Sequence, residues 1–217
     1  MHYPWYKDHK IKRVKKIIDI FGIDWFKNKS ILELGACHGE LGLEFANLGA
    51  DVLFTDVRIE NLTELLSIKP DAKIQVLNQN SYYNLHRKFD LVLHLGTLWH
   101  VENWYNDLYC AIKHSDNIIL ETLVLPRSGN FSMPYNNVDS VYSSINQKEQ
   151  VFTEVAVESR LNELGCTFTR YDESELNTYY DDVSLVYDWS VDDAILDSKV
   201  HCRRFWYIKK CPVSSVG

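Results

Sequence analysis

The segment Ile31 to Phe45, ILELGACHGELGLEF, combines glycines and a carboxylate in a spacing that suits a ligand site. Gly35, Gly39 and Gly42 lie where an apolar, strand-like run passes into a helix-like run, and glycine is used where a side chain would obstruct a turn or a ligand. Their spacing, G-x-x-x-G-x-x-G, differs from the G-x-G-x-x-G with which dinucleotide-binding domains hold a pyrophosphate. Glu33 would repel a pyrophosphate, so the segment favours a ligand that carries a positive charge or an amine.

Polar residues also follow the second and third strand-like runs. Asp56 ends the second run, where its carboxylate can accept hydrogen bonds from the hydroxyls of a ribose. The alternative is that Asp56 caps the helix that follows. Asn80 and Ser81 follow the third run, where the Asn80 carbonyl suits an adenine amino group, and the alternative is an ordinary turn.

The fourth and fifth strand-like runs end in residues that could act on a substrate. FDLVLHLGTLWHVENW, residues 89–104, places Leu95 and Gly96 at the end of a strand and His100 shortly after it, and Glu121 ends the fifth run. His100 and Glu121 are our two candidate bases for an acceptor hydroxyl or amine, because proton transfer requires such a side chain within hydrogen-bond reach. The alternatives are a packed or capping histidine and a structural carboxylate.

Strand-like and helix-like segments alternate from residue 30 to residue 122, and this alternation positions all of these residues. The segments are SILEL (30–34), GELGLEFANLG (39–49), DVLFT (51–55), IENLTELLS (59–67), KIQVL (73–77), FDLVLHL (89–95), ENWYNDLYCAIK (102–113) and NIILET (117–122). Alternation of this kind is typical of a parallel sheet with helices on both faces and right-handed crossovers. We therefore predict a doubly wound α/β sheet, in which ligands bind outside the carboxyl ends of the strands.

Helical spacing of apolar residues predicts an N-terminal helix, and the second half of the chain predicts a long insertion and a closing pair of strands. The predicted elements are a helix over 7–21, an irregular insertion over 123–148, a helix over 148–165 and strands over 166–172 and 204–210. We expect one domain over residues 1–217. Its N-terminal helix and lid would occupy 1–29, and its substrate-side insertions 123–148 and 173–203.

The composition excludes several classes of protein. The 217 residues are 46% apolar with a formal net charge of −7, and no apolar run reaches the roughly 20 residues of a membrane span. Five cysteines without a C-x-x-C pair predict neither a disulfide framework nor a zinc site. The N-terminus lacks a signal-peptide pattern, so we expect a cytoplasmic location. The negative charge disfavours nucleic acid, although six basic residues between Lys7 and Lys16 form either a phosphate-binding or a solvated helix face.

The run ELGACHGELG resembles the first motif of class I S-adenosylmethionine-dependent methyltransferases, E/D-x-G-x-G-x-G, with Cys37 at a position that is often glycine. LVLHLGTLWH followed by IILETLVLP is most similar to the catalytic domain of the tRNA wobble-uridine carboxymethyltransferases, over about residues 31–171. The resemblance implies a Rossmann-like mixed sheet of seven strands in the order 3-2-1-4-5-7-6, preceded by an N-terminal helix. It also implies S-adenosylmethionine as the cofactor, held by Glu33, Gly35, Ala36, Cys37, Gly39, Asp56, Val57, Asn80, Ser81, Leu95 and Gly96.

Three regions rich in Tyr, Trp and Asn are expected to converge above the carboxyl ends of the strands, where they would line an acceptor site or simply pack loops onto the sheet. The candidate substrate-binding residues are Tyr3, Trp5, Tyr6, Trp99, Tyr135 and Arg203. The leading hypothesis is methyl transfer to a small molecule by in-line displacement, for which positioning can supply much of the rate. The alternatives are a tRNA-modifying methyl- or carboxymethyltransferase, a non-catalytic cofactor-binding subunit and a nicotinamide-dependent oxidoreductase.

Overall fold

The computed structural model describes residues 4–125, 128–135, 145–146, 148–173, 176 and 202–211, without the side chains of residues 4–8, 135 and 202. The strands are β1 (Ser30–Leu34), β2 (Asp51–Asp56), β3 (Lys73–Val76), β4 (Leu91–Leu95), β5 (Asn117–Leu125), β6 (Ser132–Tyr135), β7 (Glu149–Thr153), β8 (Cys166–Tyr171) and β9 (Cys202–Lys210). The helices are α1 (Pro4–Phe21), α2 (Glu40–Asn47), α3 (Ile59–Ile68), α4 (Trp104–His114) and α5 (Glu154–Glu163), with short 3-10 helices at Ile23–Phe26 and Leu98–His100. Within these ranges no helix combines the length and the apolar character of a membrane span.

These strands form one mixed sheet. β3, β2, β1, β4 and β5 are parallel neighbours in that order, β9 pairs antiparallel with β5, and β8 pairs antiparallel with β9. The predicted α/β architecture with a mixed sheet is confirmed. The predicted count of seven strands is wrong, because β6 and β7 are additional. The predicted order 3-2-1-4-5-7-6 therefore becomes 3-2-1-4-5-9-8, followed from β5 through β9 to β8.

The additional strands form a hairpin above the end of β4. Val124 of β5 pairs with Cys202 of β9 on one side and with Phe152 of β7 on the other, so β7 lies on the side of β5 that β4 occupies lower down. β6 pairs antiparallel with β7. The predicted helix over 148–165 is thus wrong in its first turn, where EQVFT is rich in residues that favour strands. The helix begins only after Thr153, whose hydroxyl accepts from the Ala156 N–H at 3.2 Å.

The sheet has an apolar core on each face. Residues of the central strands alternate between the two, so that Leu32 and Val92 join one cluster while Ile31 and Leu93 join the other. Strands buried on both faces read as continuous apolar runs, which is why β1 and β4 are recognisable in the sequence. Helix α1 covers the second face and contributes the fully buried Ile17.

A buried polar network joins β4 to α4 and to the loop after β3. His94 Nε2 lies 2.6 Å from Asp107 Oδ2, and both side chains are fully buried. Gln79 Nε2 donates to both Asp107 carboxylate oxygens at 3.2 and 3.3 Å, and the Tyr83 hydroxyl donates to Oδ1 at 3.1 Å. Because Gln79 precedes Asn80, the network fixes the loop that carries the predicted adenine-binding residues.

Asp107→Ala should lower the free energy of unfolding by about 3–5 kcal/mol, because it leaves three buried polar side chains without their acceptor. Urea denaturation followed by circular dichroism measures the loss. Asp116→Ala, at an exposed position after α4, is the control and should change stability by less than about 0.5 kcal/mol. An Asp107→Ala protein as stable as this control would contradict a structural role for the network.

Candidate active site

The turn between β1 and α2 has a left-handed backbone conformation. Gly35, Cys37 and Gly39 have φ angles of 64°, 51° and 73°, and a non-glycine residue in this region is uncommon outside strained or functional turns. The Ala36 N–H donates to the Thr55 carbonyl at 2.7 Å and anchors the turn to β2. Burial raises the pKa of the Cys37 thiol to about 12, so this side chain stays a neutral thiol.

Two glycines of this turn allow close packing against the protein itself. A Cβ at Gly35 would overlap the Thr97 side chain, and a Cβ at Gly39 would lie 2.8 Å from Leu65 Cδ1. Thr97 in turn donates from Oγ1 to the Leu34 carbonyl at 3.2 Å, which ties the end of β1 to the segment after β4. The glycines therefore bring the ends of neighbouring parallel strands together.

Asp56 is the polar centre of this edge of the sheet. Its Oδ2 accepts from the Cys37 N–H at 2.9 Å, and its Oδ1 accepts from the Arg58 N–H at 2.8 Å and from Asn61 Nδ2 at 3.2 Å. The N-cap position of α3 belongs to Arg58, so the alternative of Asp56 as the cap residue is wrong. Asp56 instead joins the glycine turn to the start of α3, and it is 7% exposed.

Glu33 lies beneath this turn and is buried. Its Oε1 accepts from the Gly42 N–H at 3.2 Å, and a Cβ at Gly42 would overlap its other oxygen. Burial raises the pKa of Glu33 to about 8, so the carboxyl group is largely neutral at pH 7. The structure therefore does not support Glu33 as the residue that attracts a positively charged ligand. Through its hydrogen bond with the Gly42 N–H, Glu33 instead supports the start of α2.

The remaining predicted cofactor residues lie along the same edge. Leu95 is buried, Val57 is half-buried and Ser81 is exposed. Gly96 has a φ of 74°, and its N–H donates to the Glu121 carbonyl at 2.9 Å. Asn80 uses its side-chain oxygen to accept from the Glu102 N–H at 2.7 Å, so this side chain already holds the segment that follows the second 3-10 helix.

His100 is paired with a carboxylate that the sequence interpretation did not include. His100 Nδ1 lies 2.8 Å from Glu149 Oε1, with Glu149 fully buried and the His100 side chain 18% exposed. The Trp99 ring packs on the His100 ring with 3.7 Å between their centroids, and its indole N–H donates to the Gly96 carbonyl at 2.9 Å. Trp99, predicted to bind substrate, is therefore a buried support for His100 in this structure.

Glu121 is fully buried and forms an ion cluster with two buried arginines. It pairs with Arg13 of α1 and with Arg203 of β9. Burial alone would raise the pKa of Glu121, but the two guanidinium groups hold it at about 2. A carboxylate held so firmly as an anion is a poor base, and the structure does not support that predicted role. Arg203, predicted to bind substrate, is bonded to Glu121 and lies next to Gly96.

The other predicted acceptor residues have no described side chain. Tyr3 lies outside the described residues. Trp5 and Tyr6 belong to α1, and Tyr135 ends β6, but their side chains are not described. Arg204, next to Arg203, faces the opposite side of β9, where it pairs with Glu154 at 2.8 Å.

Three of the six basic residues of α1 form ion pairs within the protein. Lys10 pairs with Glu44 at 2.9 Å, Lys16 pairs with Glu173, and Arg13 belongs to the Glu121 cluster. Neither a phosphate-binding face nor a fully solvated face describes these three residues. Their helical spacing of three, 10, 13 and 16, was the available signal that they share one side of the helix.

No protein-family model matches this sequence, and no curated protein matches it significantly. Solved structures do match its fold. The N-terminal domain of EvdMO1, in the presence of SAH and D-fucose, superposes with a TM-score of 0.67 at 16% identity over 94% of this chain and 83% of that one. An S-adenosylmethionine-dependent methyltransferase from Mesorhizobium loti gives 0.66 at 12% identity over 93% and 98%. Magnesium protoporphyrin IX methyltransferase from Synechocystis PCC 6803, with bound SAM, gives 0.60 at 13% identity over 94% and 80%.

The chain has the fold of S-adenosylmethionine-dependent methyltransferases. Identities of this size show the fold alone, and the predicted Rossmann-like sheet is part of that finding. None of these three structures is named as a tRNA wobble-uridine carboxymethyltransferase, so that finer resemblance stays a prediction. In the methyltransferase fold of this chain, the glycine turn, Asp56, Gly96 and His100 all lie at the carboxyl ends of the parallel strands.

The raised pKa of Glu33 predicts a pH-dependent stability. The folded protein keeps the proton up to about pH 8, whereas an unfolded glutamic acid releases it near its ordinary value of 4.5. The folded state thus binds more protons between these values, and stability falls as the pH rises from about 4.5 to about 8. Glu33→Gln keeps an acceptor for the Gly42 N–H and removes this loss.

We expect Glu33→Gln to be more stable than wild type at pH 8, on the order of a few kcal/mol, and to lose less stability between pH 5 and pH 8. Thermal and urea unfolding at the two pH values measure both quantities. Glu60→Gln, at an exposed position of α3, is the control and should follow the wild-type pH dependence. Equal pH dependence in Glu33→Gln and wild type would show that Glu33 is ionised in the folded protein.

Proposed function

We propose that this protein transfers a methyl group from S-adenosylmethionine to a small-molecule acceptor. The observation that carries the proposal is the Asp56 carboxylate, bonded to the glycine turn at the carboxyl end of β2, where α/β sheets bind ligands. Asp56 accepts three hydrogen bonds from the protein, and a carboxylate has about four acceptor positions, so one remains for a ribose hydroxyl. The residues around Asp56 therefore fit the ribose of S-adenosylmethionine. When bound, S-adenosylmethionine supplies an electrophilic methyl group on a positively charged sulfur.

The residues of this chain would act mainly by binding and orienting. Asp56 would hold the ribose, the turn from Gly35 to Gly39 would follow the cofactor with its backbone, and Gly96 would border the reacting centre. Holding a nucleophile and a methyl group in near-attack geometry can contribute up to roughly 7–11 kcal/mol, so no further group is required for many acceptors. The presence of D-fucose in the EvdMO1 domain structure is in keeping with a small polar acceptor.

The ion pairs of α1 support a small acceptor over tRNA. Binding of a nucleic acid backbone depends on clustered basic side chains, and Lys10, Arg13 and Lys16 are each paired with a carboxylate. We therefore rank tRNA methylation or carboxymethylation second, and a non-catalytic cofactor-binding subunit third.

Two further expectations stay predictions. One is a single domain over 1–217, with a lid in 1–29 and substrate-side insertions in 123–148 and 173–203. The other is a cytoplasmic location.

Titration calorimetry with S-adenosylhomocysteine tests the cofactor site. We expect micromolar binding to the wild-type protein, and at least tenfold weaker binding to Asp56→Ala, which loses both the ribose acceptor and the anchor of the Cys37 N–H. Asp71→Ala is the matched control, because Asp71 is an exposed aspartate just before the amino end of β3, whereas Asp56 lies at the carboxyl end of β2. It should bind as wild type does.

NADH, titrated in parallel, should show no binding. Preferential binding of NADH would overturn the proposal in favour of an oxidoreductase. Absence of S-adenosylhomocysteine binding would overturn it outright. Equal binding to wild type and Asp56→Ala would remove Asp56 from the site.

A further inference from the structure

The described residues contain two pairs of a histidine with a buried carboxylate, and they differ in access. In the His94 and Asp107 pair, both side chains are fully buried in the core beside α4. In the His100 and Glu149 pair, only the carboxylate is fully buried, and the His100 side chain is 18% exposed. The second pair alone can present a ring nitrogen to a ligand at the edge of the sheet.

The position of the second pair follows from the strand order. Gly96 directly follows β4 and lies four residues before His100. Glu149 is the first residue of β7, which lies beside β5 above the end of β4. The His100 N–H donates to the Thr97 carbonyl at 2.9 Å, which fixes the backbone, and Trp99 covers the ring. The imidazole is thus held in place at the carboxyl edge, close to the residues of the proposed cofactor site.

The contact to Glu149 determines which ring nitrogen is available. A carboxylate accepts only, so the 2.8 Å contact with Glu149 Oε1 places the proton of a neutral His100 on Nδ1. Nε2 then carries the lone pair. In many enzymes that remove a proton from an acceptor, a third group orients the base in this way.

We propose that Glu149 is a positioning residue for His100, and that His100 acts as a base toward an acceptor hydroxyl. This inference rests on the proposed methyl transfer. The acceptor oxygen forms a bond to the methyl carbon as the carbon–sulfur bond breaks and its electron pair remains on sulfur. The hydroxyl proton passes to Nε2 of His100, and the Glu149 carboxylate stabilises the imidazolium until the proton is released to water.

A purely structural role for the pair is the competing explanation, since Glu149 also belongs to the hairpin of β6 and β7. The chain offers a matched control for it. Glu102 bonds to Lys148 Nζ at 2.8 Å, and so joins the segment after His100 to the residue before β7 by a second ion pair. Glu102→Gln weakens the attachment of the hairpin without touching His100, whereas Glu149→Gln preserves the volume of the side chain and removes the charge next to the ring.

Nitrogen-15 NMR of histidine-labelled protein tests the pair without any substrate, with the His100 signals assigned from His100→Gln. We expect the proton on Nδ1 in wild type and in Glu102→Gln, and a mixture of the two neutral tautomers in Glu149→Gln. A proton on Nε2 in the wild-type protein, or spectra of His100 that do not change in Glu149→Gln, would overturn the role of Glu149.

Methyl transfer from labelled S-adenosylmethionine to panels of small hydroxyl, amine and thiol compounds tests the acceptor. We expect methylated hydroxyl compounds, with kcat at least tenfold lower in Glu149→Gln, KM for the acceptor within about threefold, and Glu102→Gln like wild type. Transfer confined to amines or thiols, or cofactor binding with no methylated hydroxyl compound, would overturn the assignment. Calorimetry with S-adenosylhomocysteine separates these results from failure of the proposed function, because all of these variants should bind it as wild type does.

Discussion

A carboxylate that has lost all contact with water must be paired, and helix α1 and strand β9 are arranged around that constraint. Glu121, in the middle of β5, is neutralised by Arg13 from the first helix and by Arg203 from the last strand. Removal of one partner from such a pair leaves an uncompensated buried charge, which destabilises the folded state far more than the intact pair does. His9, one turn before Arg13, does not add a further charge, because burial and the Arg13 guanidinium lower its pKa to about 2. The N-terminal helix is therefore fastened directly beside Gly96 and the end of β4.

The site at the carboxyl edge depends on the same principle, applied to backbone groups. The left-handed turn after β1 exposes N–H groups that the regular elements cannot use, and they are satisfied by the Thr55 carbonyl and the Asp56 carboxylate of β2. In the segment after β4, the Glu102 N–H donates in the same way to the side-chain oxygen of Asn80. The loop after β1 is thus held by the end of β2, and the segment after β4 is held by the loop that follows β3.

Patterns that depend on local sequence were predicted well, and those that depend on distant pairing were not. The alternation of apolar runs identified β1 to β5 because a strand buried on both faces has a continuous apolar sequence. β7 was assigned to a helix because EQVFT directly precedes one, and only pairing with β5 and β6 defines it as a strand. Glu121 was singled out in the sequence and Arg13 belongs to the basic run between Lys7 and Lys16, but their contact joins residues far apart in the chain. The contact of Glu149 with His100 was missed for the same reason.

The adjacent arginines of β9 have a consequence for how the sheet assembles. Arg203 reaches Glu121 on one face, while Arg204 reaches Glu154 on the other. A shift of β9 by one residue along β5 would exchange the two guanidinium groups and still offer Glu121 a positive partner. The same shift would move Trp206, which is fully buried and donates to Glu158, to the wrong side of the strand. Discrimination against this misaligned form during folding thus rests on the buried apolar side chains of β9, which include Phe205, Trp206 and Ile208. The pairing of Glu121 with an arginine would by itself tolerate the error.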